Sequence, residues 1–382
     1  LYNGRQDNQK ALNDWLKGSM GILATCQSCA LGDVDYANAL LSSHVTADMA
    51  RGLAKAAYSF WYQPALSYIE KNPGLFEMKD GVPTSWGINK ALNEMVDGKQ
   101  NAGEAVVLNK LSHRLNLARL AFDTASGFAV GYREFHKNVF VHVAQEIVGD
   151  PKLCQLAKEW PEAIGPDYEF LPGVLVSGKK GPILSDAYLK EIKKFDLVGI
   201  AEKVSRYYIE AAIKERSDLF SDFGQVKANL FAPNAKSGTF GYDKKQSVYS
   251  YGADTCYTFA SFLNLVTDVT HETEHFVQNH LGTKKCRLSP SDPLAYAAKL
   301  FEDDIRIQDG KDSDQGVSLY APGLSSFIAF MRAKTARPME YFAHRTDALG
   351  RALGQHLKAP VYLWSHPKHD YLVHACRHAL GG

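Results

Sequence analysis

One pentapeptide constrains this chain more than any other stretch: His271-Glu272-Thr273-Glu274-His275, an HExxH pattern near the end of an amphipathic run over 255–281. Phe259, Phe262, Leu263, Val266, Val269 and the pair Phe276-Val277 recur at three- and four-residue spacings, which predicts a helix. Asp254 or Thr255 is the expected cap, and Gly282 is expected just past the end as a C′ glycine. Apolar residues continue around most of the circumference, so the helix is expected to be central. On such a helix, side chains four apart share a face, and the imidazoles of His271 and His275 can reach one cation. Glu272 stands beside the first of them, where a carboxylate can take a proton from a water held by that cation without being a ligand itself.

A catalytic metal needs a third protein donor and one open position. Two downstream carboxylates compete for the role. Glu302 lies in Lys299-Leu-Phe-Glu-Asp-Asp304, a charge run with Arg306 that reads as a solvated helix face. Glu340 lies in Arg337-Pro-Met-Glu-Tyr-Phe-Ala-His344, where Pro338 suits the first position of a helix and places Glu340 in its first turn.

The HExxH stretch resembles the active-site helix of the zincin metallopeptidases. Its extension through Phe276, Val277 and Gln278 is similar to metallopeptidase domains of bacterial toxins and secreted effectors. Glu340-Tyr-Phe-Ala343 resembles the ExxA third-ligand motif of gluzincin-like families, which favours Glu340 over Glu302. The resemblance implies a gluzincin-type site: Zn2+ held by His271, His275 and Glu340, with Glu272 as general base. It also implies a zinc-dependent endopeptidase acting on a protein or peptide substrate, secreted or translocated into a target cell. A peptidoglycan or small-amide hydrolase could use the same site. A helical binding or scaffold protein with an accidental HExxH is the alternative of another class. The metzincin variant is excluded, because Gln278 and Leu281 stand where it needs Gly and His. One departure concerns the Asp with which gluzincins often follow the ligand Glu, and which accepts the other N–H of the first histidine, here His271. Here His344 follows Ala343, leaving Asp268 or Asp347 as the candidate orienting residue.

Composition sets wider bounds. A chain of 382 residues, 45% hydrophobic and 22% charged, can bury a large core. The net charge of +1 gives no pull toward nucleic acid, and no window reaches the roughly 18 apolar residues of a spanning helix. Six cysteines are too sparse for a disulfide scaffold, and Cys26-Gln-Ser-Cys29 lacks a second pair that would complete a zinc knuckle.

The expected class is mainly α with a small antiparallel β element (α+β), a zincin-like catalytic region preceded by a helical N-terminal region. Gly and Pro concentrate between Trp160 and Asp186, which sets the expected boundary near Gly181 and divides the chain into 1–181 and 182–382. Thr239-Phe-Gly-Tyr242 and Ser247-Val-Tyr-Ser-Tyr251 flank a polar turn and read as an edge hairpin over about 239–251, suited to binding an extended substrate. Tyr58, Phe60, Trp61 and Tyr62 read as core. His113, His136 and His142 have no acidic partner at ligand spacing. The histidines His356, His366, His369, His374 and His378 read mostly as surface groups, although any of them, or Tyr371, could donate to an oxyanion.

Overall fold

The computed structural model describes residues 46–63, 65, 78–79, 82–83, 102–161, 170–171, 174–175, 186–223, 227–229, 240–243, 248–251, 259–283, 288–309, 333, 336–361 and 370–382. Cys26 and Cys29 lie outside them, as do His366 and His369. The described chain is predominantly α-helical. None of its helices is long and apolar enough to cross a membrane.

The helix Phe262–Gly282, which carries the HExxH pair and is called the metal helix for that candidate site, runs through the larger of two cores. It begins at Phe262, later than the expected start near Thr255, because Ser261 supplies the cap: its Oγ accepts from the Asn264 N–H at 3.0 Å. The apolar pattern continues upstream through Phe259, which is buried but sits in the turn before the helix. At the other end Gly282 lies inside the helix, and Thr283 is the cap residue. Glycine is required there for a different reason from the one expected. A Cβ on Gly282 would stand 3.0 Å from both the Phe301 carbonyl carbon and the Glu302 nitrogen of the crossing helix Ala295–Asp309. Three buried threonines are made tolerable in the metal helix by back-bonding. The hydroxyls of Thr267, Thr270 and Thr273 donate to the carbonyls of Leu263, Val266 and Val269 at 2.9, 2.7 and 2.6 Å.

Around it pack Val130–Gly149, Leu197–Glu215, Ala295–Asp309, Pro338–Ala343, Thr346–Leu357 and Asp370–Ala379. This core takes helices from both sides of Gly181, with Val130–Gly149 lying against Leu197–Glu215. A smaller core joins Ala47–Ala57, the π-helical turn Tyr58–Tyr62 and Ala102–Gly127 to Leu300, Ala333 and Ala336. Tyr58 and Tyr62 are core residues there, packed on Phe122 at ring-centroid distances of 4.5 and 5.8 Å, while Phe60 is exposed. Tyr296 packs against both cores.

Short strands pair beside the helices. Val248–Tyr251 runs antiparallel to Phe240–Asp243 and parallel to Lys227–Asn229, so it is central in the described sheet. The outer strand Phe240–Asp243 lies next to the metal helix.

Candidate metal centre

Two helices supply the site, one through two residues a turn apart and the other through a single carboxylate. On the metal helix the His271 and His275 rings meet with their Nε2 atoms 3.2 Å apart. The second helix, Pro338–Ala343, is the ligand helix, and its Glu340 Oε2 lies 3.6 Å from His271 Nε2 and 3.7 Å from His275 Nε2. Zinc bonds of about 2.0–2.1 Å at tetrahedral angles separate neighbouring donor atoms by about 3.3 Å. The three donors are spaced close to that, and two imidazoles with a carboxylate suit a borderline first-row cation. Glu272 Oε1 stands 4.0 Å from His271 Nε2, beside the group and outside it.

The electrostatics of the three side chains express the same convergence. Burial pushes the Glu340 carboxyl up, but hydrogen bonding to His271 and His275 outweighs it and holds the group well below the usual carboxylate range. Burial pulls His275 down, yet the Glu340 carboxylate more than offsets this and raises its pKa to about 9.

Gln278 orients His275. Its Nε2 donates to Glu274 Oε1 at 2.8 Å and to the Met339 carbonyl at 2.9 Å. Both partners are acceptors, which fixes the amide and turns Oε1 toward His275 Nδ1 at 2.9 Å. His275 must then donate from Nδ1, so that in the neutral ring the lone pair lies on Nε2, the atom that faces Glu340. The candidates Asp268 and Asp347 concern the other histidine of the pair, His271. The sequence places Gln278 three residues after His275, which is the available signal, but spacing alone does not say which way an amide points.

Behind Gln278, the fully buried Glu274 accepts from Tyr132 Oη at 2.5 Å and from Tyr208 Oη, and it faces His136 Nε2 at 3.4 Å. Burial raises the Glu274 pKa, but His136 and the two tyrosines prevail and bring it to about 2. His136 thus has an acidic partner that spacing could not reveal, because it comes from another helix. His142 likewise meets Glu215 at 3.1 Å.

The ligand helix is only six residues long and has no side-chain cap of its own. Its cap arrives from Asp304 on the neighbouring helix, whose Oδ2 accepts from the Met339 N–H at 3.0 Å. The other oxygen of Asp304 takes Tyr58 Oη and lies 3.3 Å from Arg337 Nη2. Glu302, the competing third ligand, pairs with Arg306 one turn along its own helix at 2.6 Å. His356, His374 and His378 are exposed. Tyr371 Oη accepts from Arg345 Nη1 at 2.9 Å.

His344 was marked by the sequence only as a departure from a pattern. In the structure its Nε2 is 3.5 Å from Glu340 Oε2, and its ring centroid is 4.8 Å from that of His271.

Compared with family models, with curated proteins and with solved structures, the chain matches none.

Proposed function

We propose that this protein is a zinc-dependent endopeptidase of the gluzincin type, with His271, His275 and Glu340 as ligands and Glu272 as general base. The observation that carries this is the meeting of Glu340 with both imidazoles of the HExxH pair at 3.6 and 3.7 Å. Bound zinc would supply a Lewis acid that polarises a peptide carbonyl and lowers the pKa of a coordinated water. Glu272 accepts the proton that the attacking water sheds and returns it to the departing amine nitrogen as the C–N bond breaks. Its place beside His271 suits that transfer, since it reaches the reacting water without taking a ligand position. Gln278 keeps His275 in the tautomer that presents Nε2. We read Phe240–Asp243 as the zincin-like edge strand, on which an extended substrate would add main-chain hydrogen bonds. This completes an α+β zincin-like region, with the helices before Gly181 as a separate N-terminal region in sequence. A secreted effector or toxin with a protein target is the setting that the motif suggests.

The test uses the full chain. Dialysed protein should retain stoichiometric zinc, and incubation with cell lysate should create new N-termini that mass spectrometry can map. Glu272→Gln should keep zinc and lower turnover by at least ~10²-fold. His271→Ala and His275→Ala should lose both zinc and activity. Absence of zinc together with an unchanged lysate would leave a helical binding protein. Zinc retention with cleavage of peptidoglycan alone would redirect the same site to another amide.

A further inference from the structure

We infer that His344 is a fourth protein ligand to the metal, making the resting site three imidazoles and one carboxylate. The inference rests on the metal reading above and adds a donor that neither the HExxH nor the ExxA pattern contains. Glu340 and His344 are four residues apart on one turn, with the His344 N–H closing onto the Glu340 carbonyl at 2.9 Å. They form a second i,i+4 pair, which meets the HExxH pair at His271. Donor atoms of His271, Glu340 and His344 all lie within 4.8 Å of one another. Although His344 is the most exposed member, with about a third of its side chain accessible, its ring leans over His271 rather than outward.

The chemistry follows from the donor set. Three imidazole nitrogens and one carboxylate oxygen select zinc, cobalt or nickel over magnesium or calcium, which take oxygen donors. Four protein donors also fill a tetrahedron, which is the signature of a closed site. For hydrolysis, His344 would have to swing aside or coordination would have to widen to five. It is the most accessible of the four donors and stands at the C-cap of a short helix, so it is the donor that would give way.

The test is a Co(II) titration of metal-free, full-length protein, followed by visible absorption. Wild type should take up one Co(II). His344→Gln and His344→Gly should bind it more than ~10-fold more weakly, on the scale of lost metal-site contacts. A mere hydrogen-bond partner of Glu340 would also weaken binding, so the spectrum decides. Exchanging an imidazole nitrogen for a water oxygen should move the d–d bands to longer wavelength, and added imidazole should restore them in His344→Gly. Bands identical to wild type in both variants would overturn the assignment of His344 alone. No Co(II) uptake by wild type would overturn it together with the metal reading. Circular dichroism and melting of the metal-free variants should stay close to wild type, because His344 lies at the helix end with about a third of its side chain accessible.

Discussion

The two arms of the candidate site are held in different ways. The metal helix has 21 residues, its own Ser261 cap, back-bonded threonines and apolar contacts on most sides. The ligand helix has six residues, too few to be stable alone, and depends on Asp304 for its cap and on Gln278 for a bond to the Met339 carbonyl. One arm is fixed by its own sequence, whereas the other is fixed by groups far away along the chain. Perturbing the borrowed supports should therefore move Glu340 relative to the histidines, while the histidine pair itself survives.

The strongest way to break the contrast is Asp304→Ala. It removes a fully buried carboxylate and strands Tyr58, Arg337 and the Met339 N–H together. Removing one partner of a buried ion pair costs about 3–5 kcal/mol. Chemical denaturation should show a loss of that size, and chelator competition should show weakened metal binding, since Glu340 begins one residue beyond the lost cap. Metal affinity equal to wild type would mean that the ligand helix is anchored without Asp304.

Next in size is Glu274→Gln, which acts on the back of the metal helix and sharpens the comparison through pH. With its pKa lowered to about 2 in the folded protein, Glu274 contributes stability that is fully present above the unfolded value of about 4.3. That contribution is lost as pH falls through about 2. The stability difference between wild type and variant should therefore be level above about pH 5 and shrink from there toward pH 2. Equilibrium unfolding at stepped pH measures it. A difference that stays level would mean that this carboxyl titrates alike in the folded and unfolded chains, and one that grows as pH falls would mean that it is protonated in the fold.

The same contrast explains what could be read from the sequence. The histidine pair and its helix follow from spacing, since four residues is a local distance. The short helix that carries Glu340 is legible because Pro338 marks its start locally. The helix start was misplaced because Phe259 continues the apolar rhythm, although Ser261 carried the better cap signal. Asp304 was passed over as part of a charged face: one side of Lys299-Leu-Phe-Glu-Asp-Asp304 does meet solvent through Glu302, but Asp303 and Asp304 are buried. Asp303 binds Arg51 and Lys55. Consecutive helical residues point about 100° apart, so neighbouring carboxylates can have opposite fates. The partners of His136 and His142 were illegible for a related reason, since tertiary packing alone brings Glu274 and Glu215 to them.

A smaller effect is expected where the two arms touch. Gln278→Met keeps bulk and helix propensity but removes the acceptor of His275 Nδ1–H and the donor to the Met339 carbonyl. Loss of such an orienting contact typically costs ~10–100-fold in metal affinity. Chelator competition should fall in that range while the metal stoichiometry is kept. An affinity unchanged from wild type would mean that His275 is oriented by something other than Gln278.

The smallest expected effect is Glu302→Ala, and it is informative because it should be small. Glu302 belongs to the same helix as Asp304 and was the rival third ligand, so the two variants compare neighbouring carboxylates with opposite surroundings. Its carboxylate meets Arg306 at 2.6 Å, and the Arg306 side chain is more than half accessible. An exposed i,i+4 pair of this kind contributes about 0.3–0.5 kcal/mol, screened further by salt. Alanine also has the higher helix propensity, which offsets part of that loss. Stability should change by no more than about 0.5 kcal/mol, and metal affinity and turnover should match wild type. If Glu302→Ala instead abolished metal binding while Glu340→Ala spared it, the third ligand would lie on the helix Ala295–Asp309. The ligand helix would then lose its role in the site.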